Sequence, residues 1–210
     1  MYIKYPRTMY LPGSPGTTSD DRILASIDHL LGQHVLITEK LDGENTTMYS
    51  DHIHARSLDS ANHPSRTMVK ALHGEIAHEI PAGWRVCGEN VYAKHSIFYD
   101  NLQAYFYAFS VWDETNTALS WRETVAYLDI LGLQHVPVLF EGVLTEDVLD
   151  KQVKGLNLEK QEGFVVRLAA PFKYEDFGTS VAKWVRKGHV QTDQHWMQAA
   201  IVPNRLGGEK

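Results

Sequence analysis

The stretch Thr38-Glu39-Lys40-Leu41-Asp42-Gly43-Glu44-Asn45 decides how the rest of the sequence is interpreted. It joins two runs whose residues are typical of β-strands, and the pair Asp42-Gly43 between them is a common turn. We therefore predict a β-hairpin with Lys40 at its tip. A lysine at a turn is usually a solvated cation, and Lys-x-Asp-Gly alone is a loose pattern. The stretch indicates chemistry only if other residues supply what a nucleophilic lysine needs.

Size and composition indicate an ordinary globular protein. The chain has 210 residues, of which 43% are hydrophobic, so it can bury one good core or one core with a small satellite. No apolar run is long enough to span a bilayer, and the N-terminus lacks the apolar region of a secretory signal. The single cysteine, Cys87, excludes an internal disulfide. We expect a cytoplasmic protein that does not associate with membranes.

The charge balance argues against nonspecific coating of nucleic acid. The net charge is −6, with 26 acidic and 20 basic residues, whereas such proteins have a basic surface. A local basic cleft is still compatible with this total. The 11 histidines are scattered, and none of their spacings indicates a zinc site.

Hydrophobic periodicity predicts alternating helices and strands within one α+β domain over residues 1–210. Residues 1–17 are predicted to be an irregular arm and residues 188–210 a short C-terminal tail. The predicted helices cover 20–31, 65–80, 121–131 and 145–153, with Ser120 and Glu123 forming a capping box. The predicted strands cover 34–40, 45–50, 52–57, 84–90, 103–112, 136–140, 163–168 and 180–185. The residues after Lys187 are too few for a further domain, since a small barrel needs about 60 or more.

Several charged residues interrupt or end strands that are otherwise apolar. These residues are Lys40, Arg56, Glu89, Glu162 and Lys183. Because burying an isolated charge is costly, each should be paired, bound to a ligand, or placed at a strand end that faces a cleft. For any one of them, an unrelated surface position is an equally good explanation.

Taken together, these residues and their neighbours resemble the motifs of the covalent nucleotidyltransferases, which comprise polynucleotide ligases and messenger-RNA capping enzymes. The chain is most similar to RNA ligases of the phage nick-sealing type and their bacterial relatives, over roughly residues 34–190. The matching segments are Lys40-Leu41-Asp42-Gly43 with its flanks Glu39 and Asn45, Ala55-Arg56-Ser57, Gly88-Glu89-Asn90, Tyr107–Val111 around Phe109, Glu162–Arg167 and Val181–Lys187.

The resemblance implies a nucleotidyltransferase domain of the ATP-grasp-like ligase type, with antiparallel sheets flanked by helices. No appended oligonucleotide-binding barrel is expected. Two positions depart from the pattern. Val185 stands where many members carry a second lysine, so Arg186 or Lys187 would make the second phosphate contact. Ser110 stands where an acidic residue is common.

The resemblance also implies that Lys40 attacks the α-phosphate of ATP, expels pyrophosphate and becomes a lysyl-adenylate. The attacking amine must be neutral, which at pH 7 costs roughly 4.6 kcal/mol for an ordinary lysine. A nearby cation lowers this cost, and Lys183 is the candidate, with a second role in holding the α-phosphate. Glu162 would bind Mg²⁺ or Mn²⁺.

Further residues would bind the nucleotide and the polynucleotide. Glu39, Asn45 and Lys187 are among the residues expected to bind ATP. Glu89 would accept hydrogen bonds from ribose hydroxyls, Phe109 would stack on adenine, and Arg56 would contact ribose or a terminal phosphate. A surface ion pair for Glu89 and core packing for Phe109 are the alternatives. Arg186 and Lys187, with Lys94 or Arg66, would form the local basic cleft.

The implied substrate is RNA, or DNA, with 5′-phosphate and 3′-hydroxyl ends, and a partner protein could supply end recognition. Three other functions stay open. A capping-type guanylyltransferase shares the lysine chemistry but transfers GMP. A non-catalytic module would bind nucleic-acid ends or nucleotide within a repair complex. An α+β protein of unrelated function is the simplest alternative.

Overall fold

The apolar runs of the sequence form two sheets with flanking helices in a computed structural model, whose described residues are 1–60, 62–188 and 200–208. The strands are β1 Met9–Tyr10, β2 His34–Lys40, β3 Glu44–Met48, β4 Ile53–Ala55, β5 Arg85–Asn90, β6 Phe106–Trp112, β7 Thr117–Ala118, β8 Gln134–His135, β9 Val138–Val143, β10 Gly163–Leu168, β11 Phe172–Lys173 and β12 Val181–Val185. The α-helices are α1 Thr67–Ile76, α2 Trp121–Leu131, α3 Glu146–Gly155 and α4 Phe177–Ser180. Short 3₁₀ turns lie at Pro64–Arg66, Ala77–Glu79 and Tyr174–Asp176.

The first sheet is built around β2. Its strand order is β1-β12-β10-β2-β9, and β2 pairs antiparallel with both β10 and β9. Val35 and Ile37 are fully buried in a core with Phe164 and Leu144, whereas Leu36, also fully buried, packs towards the second sheet. Alternate strand residues face opposite sides of a sheet, so this continuous apolar run covers both faces of a central strand.

The second sheet has the order β11-β7-β6-β5-β3-β4, with β8 added beside β6. Its core brings α1 and α2 together with the sheet through residues such as Met48, Val86, Phe106 and Leu128. The predicted pairing of the strands at 45–50 and 52–57 is confirmed, because β3 and β4 form an antiparallel pair. The two mostly antiparallel sheets with flanking helices confirm the predicted α+β class.

The predicted hairpin with Lys40 at its tip is wrong. β2 lies in the first sheet, whereas β3 pairs with β4 and β5 in the second, so residues 41–43 cross from one sheet to the other. The physical reason lies in distant groups that hold the turn. Gly43 donates its N–H to the Glu89 carboxylate on β5, and the Asp42 carboxylate binds backbone N–H groups of residues 96 and 97.

The predicted helix over 20–31 is also wrong, since this segment consists mainly of irregular backbone with an isolated bridge at Ile23, followed by turns over 28–31. Its backbone pairs instead with β1: the N–H of Tyr10 donates to the carbonyl of Arg22, and the N–H of Leu24 donates to the carbonyl of Tyr10. The apolar residues of the segment still reach the core, because Leu24 and Leu30 are buried there. These two leucines are therefore buried although the backbone is not helical, whereas Ile23 is 48% exposed.

Other element boundaries agree more closely with the sequence. Ser120 and Glu123 form the predicted capping box of α2, and Gly132 ends the helix with a left-handed φ of 65°. The helix predicted from Ser65 begins at Thr67, and the ring of His63, rather than Ser65, caps the 3₁₀ turn before it. The strand predicted at 136–140 is displaced to β9.

Arg167 on β10 joins the two sheets. Its guanidinium is buried and donates to the carbonyls of Phe109 on β6 and Leu119 at 3.1 and 2.9 Å. Burial lowers the pKa of Arg167 to about 10, and the carbonyl oxygens partly offset the cost of removing this charge from water. These bonds tie β10 of the first sheet to β6 of the second, at the end of β10 that lies away from Lys40.

The arm predicted at residues 1–17 is irregular except for β1. Of the predicted tail, residues 189–199, 209 and 210 lie outside the described residues. Residues 200–208 pack on the segment that follows β5, with bridges between Ala93 and Pro203 and between Leu102 and Leu206. None of the helices in the described part of the chain is long and apolar enough to cross a membrane.

Candidate active site

Lys40 and Glu162 lie in contact at one end of the first sheet. Gly163, at the start of β10, pairs with Lys40 on one side and with Val185 on the other, which brings the preceding Glu162 beside the lysine. Lys40 Nζ lies 2.5 Å from Glu162 Oε2, and the Glu162 side chain is only 4% exposed. A Cβ on Gly163 would lie 2.0 Å from the Trp184 carbonyl oxygen, so only glycine permits this close approach.

Lys183 on β12 is the third charged residue at this site. Its Nζ lies 3.9 Å from the centre of the Tyr10 ring on β1, a cation–π contact that holds the partly buried ammonium group. Burial, followed by the positive charge of Lys40, lowers the pKa of Lys183 to about 8. The structure therefore brings together Lys40, Glu162 and Lys183.

The protonation of Lys40 differs from the sequence-based expectation. Burial alone would lower its pKa, but the charges of Glu162, Glu89 and Asp42 and the hydrogen bond to Glu162 outweigh burial, so the pKa of Lys40 is raised. Lys40 is thus an ammonium ion paired with Glu162. We expected Lys183 to keep Lys40 neutral, but the carboxylate in direct contact has the stronger effect.

Asp42 fixes the turn that follows Lys40. Its Oδ2 accepts hydrogen bonds from the N–H and Oγ of Ser96 at 2.7 and 2.6 Å and from the N–H of Ile97 at 2.9 Å. Its own N–H donates to the Tyr99 hydroxyl at 2.9 Å. These contacts hold the turn that directly follows Lys40.

Glu89 and Asn45 lie side by side on β5 and β3, directly opposite each other in the register. Glu89 Oε1 accepts the N–H of Gly43 at 3.2 Å. Burial, with the negative charges of Glu162 and Asp42, raises the pKa of Glu89 to about 8, against the opposing charge of Lys40. Asn45 Oδ1 is buried and has no hydrogen-bond partner among the described residues. The pair can therefore offer hydrogen-bonding groups to a ligand.

Glu39 lies on the other side of the sheet from Lys40, because consecutive strand residues face opposite sides. Its Oε2 accepts a hydrogen bond from Gln161 Nε2 at 3.1 Å, just as Lys40 contacts the next residue, Glu162. Burial raises the pKa of Glu39, and the bond to Gln161 opposes this. The structure does not bring Glu39 into contact with Lys40.

The remaining candidates are less directly connected to Lys40. Arg56 is exposed after β4, but its charge contributes to the lowered pKa of Lys183, so it borders the same site. Phe109 packs edge-on against Tyr5 of the N-terminal arm, with ring centres 5.0 Å apart, and Tyr5 also contacts Phe177. This environment favours the core-packing alternative for Phe109.

The basic cleft differs in part from the prediction. Arg66 is buried and forms a two-pronged ion pair with Glu44, so it serves the fold rather than the cleft. Arg186 donates to Ser96 Oγ at 3.3 Å, beside Asp42. Lys187 is exposed just beyond β12.

Sequence reasoning missed the groups that hold the site from outside the motifs. Tyr10 lies in the segment predicted to be irregular, and Ser96 and Tyr99 lie in a loop without a recognisable pattern. No cluster of three or more side chains in the described ranges could hold a metal ion by itself. A metal here would need ligands from a bound substrate in addition to Glu162.

The fold agrees with comparisons to known proteins. Solved structures with the same fold include a variant of the Naegleria gruberi RNA ligase with ATP and Mn, with a TM-score of 0.52 and 20% identity over 76% of this chain and 51% of that one. They also include an archaeal ATP-dependent RNA ligase, with a TM-score of 0.59 and 18% identity over 88% of this chain and 48% of that one. The chain therefore spans about half the length of these proteins.

At these identities the structural likeness demonstrates the fold alone. No curated protein shows significant sequence similarity to the chain. A family model described as RNA ligase, however, matches residues 33–185, which include Lys40, Glu162 and Lys183. Since this match covers most of the sequence, the chain belongs to the RNA ligase family.

Proposed function

We propose that the chain is an ATP-dependent RNA ligase that joins 5′-phosphate and 3′-hydroxyl ends through a lysyl-AMP intermediate on Lys40. The observation that carries this proposal is the meeting of Lys40, Glu162 and Lys183 at one end of the first sheet. Such an arrangement supplies a nucleophilic amine, a carboxylate and a second cation for phosphoryl transfer.

The proposed cosubstrate is ATP, in line with the names of the structural neighbours. Asn45 Oδ1 needs a hydrogen-bond donor, which a nucleoside can provide. Because the pKa of Glu89 is raised to about 8, its carboxyl group can donate as well as accept a hydrogen bond to a ribose hydroxyl near neutral pH. Phe109 would stack on adenine only where its ring is not covered by Tyr5.

The residues present fit a divalent cation bound together with the nucleotide. Mg²⁺ commonly binds through one or two carboxylates with substrate phosphates and water, and Glu162 offers one carboxylate at the site. When bound, Mg²⁺ or Mn²⁺ supplies positive charge that stabilises the departing pyrophosphate.

In the proposed first step, Lys40 must lose its proton before its amine attacks the α-phosphorus. Its strongest counter-charge is Glu162, so a divalent cation held by this carboxylate would remove the main cause of the raised pKa of Lys40. Burial and the nearby charge of Lys183 then favour loss of the proton to solvent. The Nζ lone pair forms a bond to the α-phosphorus, and the bond to the pyrophosphate oxygen breaks.

The later steps use the same residues for positioning. In the second step an oxygen of the RNA 5′-phosphate attacks the α-phosphorus and the bond to Lys40 Nζ breaks, which caps the end with AMP. In the third step the 3′-hydroxyl attacks the terminal phosphate and AMP leaves. Lys183, Arg56 and either Arg186 or Lys187 would contact the phosphates.

The free, buried Cys87 is consistent with a proposed cytoplasmic location.

The proposal is tested by sealing of 5′-phosphorylated RNA, offered both as a nicked duplex and as single strands, with ATP or GTP and Mg²⁺. We expect joined product with ATP, none with GTP, and none for Lys40→Ala. Lys151→Ala, a change to an exposed lysine on α3, should seal like the wild type. Sealing by Lys40→Ala would overturn the proposed mechanism. Covalent labelling of the chain by α-labelled GTP but not by α-labelled ATP, without joined product, would favour the guanylyltransferase alternative.

A further inference from the structure

The segment 200–208 is anchored beside the Lys40 turn by one buried residue. Asn204 is 1% exposed, and its side chain accepts the N–H of Tyr99 at 2.9 Å and donates to the carbonyl of Val91 at 2.8 Å. Its backbone N–H donates to the carbonyl of Tyr92, and its carbonyl accepts the Tyr105 hydroxyl. The segment is therefore a fixed part of this surface.

The outer side of this segment and of the adjacent loop presents apolar and basic groups to solvent. Phe98 is 42% exposed and Val202 is 50% exposed, and Lys94 and Arg205 are exposed beside them. The Arg205 guanidinium lies 6.0 Å from the centre of the Phe98 ring. We call this surface, formed by Lys94, Phe98, Val202 and Arg205, the rim platform.

The rim platform is continuous with the active site. Phe98 stands between Ile97, whose N–H binds the Asp42 carboxylate, and Tyr99, whose hydroxyl accepts the N–H of Asp42. Consecutive Cα atoms are about 3.8 Å apart, so the exposed ring begins one residue from a direct contact of the Lys40 turn.

The local charge is opposite in sign to that of the whole chain. The chain carries a net charge of −6, yet residues 94–102 and 200–208 contain two basic residues, Lys94 and Arg205, and one acidic residue, Asp100. Arg186 adds a further cation through its contact with Ser96 in the same loop. Aromatic rings combined with cations are typical of surfaces that bind single-stranded nucleic acid, because bases stack on rings and phosphates pair with cations.

We infer that the rim platform binds a single-stranded segment of RNA next to the end that is joined. One base stacks on the exposed face of Phe98, whose opposite face is supported by Arg205, and the Arg205 and Lys94 side chains contact the adjoining phosphates. This inference rests on the proposed function, since it assigns a binding surface for the substrate of the same site.

The test measures binding of a fluorescent, 5′-phosphorylated single-stranded oligoribonucleotide to the full chain by anisotropy, without ATP. Phe98→Ala should weaken binding about tenfold, as expected for the loss of one base stack, and Phe98→Trp should bind like the wild type. Arg205→Ala should also weaken binding and reduce the slope of log affinity against log salt by about 0.7. The matched control is Ile130→Ala combined with Arg122→Ala, which removes an exposed apolar and an exposed basic residue from α2.

A second readout separates the two proposals. Lysyl-AMP formation uses no RNA, so the Phe98 and Arg205 variants should label Lys40 as the wild type does, which also shows that the loop still holds Asp42. If Phe98→Ala and Arg205→Ala both bind RNA as well as the control variant does, the proposal that the rim platform binds RNA is overturned. Absence of lysyl-AMP in the wild type would instead contradict the proposed function, and the binding assay would still report on the platform.

Discussion

Replacing Asn204 by alanine tests whether the segment 200–208 supports the Lys40 turn. The change removes the acceptor for the N–H of Tyr99 and the donor to the carbonyl of Val91. Both groups contact the Asn204 side chain, and Asn204 is only 1% exposed. Each buried polar group left without a partner costs about 1–3 kcal/mol. Allowing for partial relaxation, Asn204→Ala should lower the free energy of unfolding by about 2–4 kcal/mol.

Thermal and urea unfolding measure this loss. For a chain of this length, the expected change lowers Tm by roughly 5–15 °C. Asn62→Ala is the matched control, because Asn62 is exposed, and it should change stability by less than about 0.5 kcal/mol. Because Tyr99 also accepts the N–H of Asp42, Asn204→Ala should slow lysyl-AMP formation even well below its Tm.

Two results would refute this reasoning. A Tm equal to that of the wild type would mean that the segment is not anchored through Asn204. A lowered Tm with an unchanged rate of lysyl-AMP formation per folded molecule would mean that the anchor does not reach Asp42.

Three further predictions follow from the geometry around Lys40. Glu162→Gln removes the main charge that raises the pKa of Lys40. An amine-selective reagent should therefore modify Lys40 at least tenfold faster at pH 8, as measured by peptide mass spectrometry, while lysyl-AMP formation falls at least 100-fold. An unchanged modification rate would contradict the ion pair between Lys40 and Glu162. Burial and the charge of Lys40 lower the pKa of Lys183 to about 8, so Lys183 is charged below this pH and loses its charge above it. Calorimetric affinity for a non-cleavable ATP analogue should therefore fall as pH rises from 7 to 9.5, and it should fall more steeply in the wild type than in Lys183→Arg, where only Glu89 still titrates in this range. Equal slopes in the two proteins would exclude Lys183 as the phosphate contact. Gly163→Ala places a Cβ 2.0 Å from the Trp184 carbonyl oxygen. It should therefore lower the free energy of unfolding in urea by about 1–3 kcal/mol and slow lysyl-AMP formation by displacing β12. A variant as stable as the wild type would show that the strands need no such close approach.

The sequence predicts the charged residues of the site better than the strands that bring them together. Lys40 and Glu162 stand at the ends of apolar runs and Lys183 interrupts one, so the sequence places all three in or beside strands. The alternation of residues identifies a strand but not its neighbours, which explains why β2 and β3 were expected to pair although they lie in different sheets. Turn residues such as Asp42 likewise do not reveal partners more than 50 positions away, among them Ser96.

Two other differences have similar causes. The apolar spacing over 20–31 suits a helix, but backbone pairing of this segment with Tyr10 satisfies the same hydrogen-bonding groups and buries the same leucines. The charge on Lys40 depends on a 2.5 Å contact with a residue 122 positions away, so the sequence identifies the lysine but not its protonation state. The anchoring by Asn204 has no motif at all, since one asparagine in an irregular segment carries no pattern.

The central claim is that Lys40 becomes covalently adenylated, and mass spectrometry of the intact chain tests it most directly. After incubation with ATP and Mg²⁺ without RNA, we expect the mass to increase by one AMP, with the modification on the peptide that contains Lys40 and absent from Lys40→Ala. An unmodified wild-type chain, or AMP attached to a peptide without Lys40, would contradict the account.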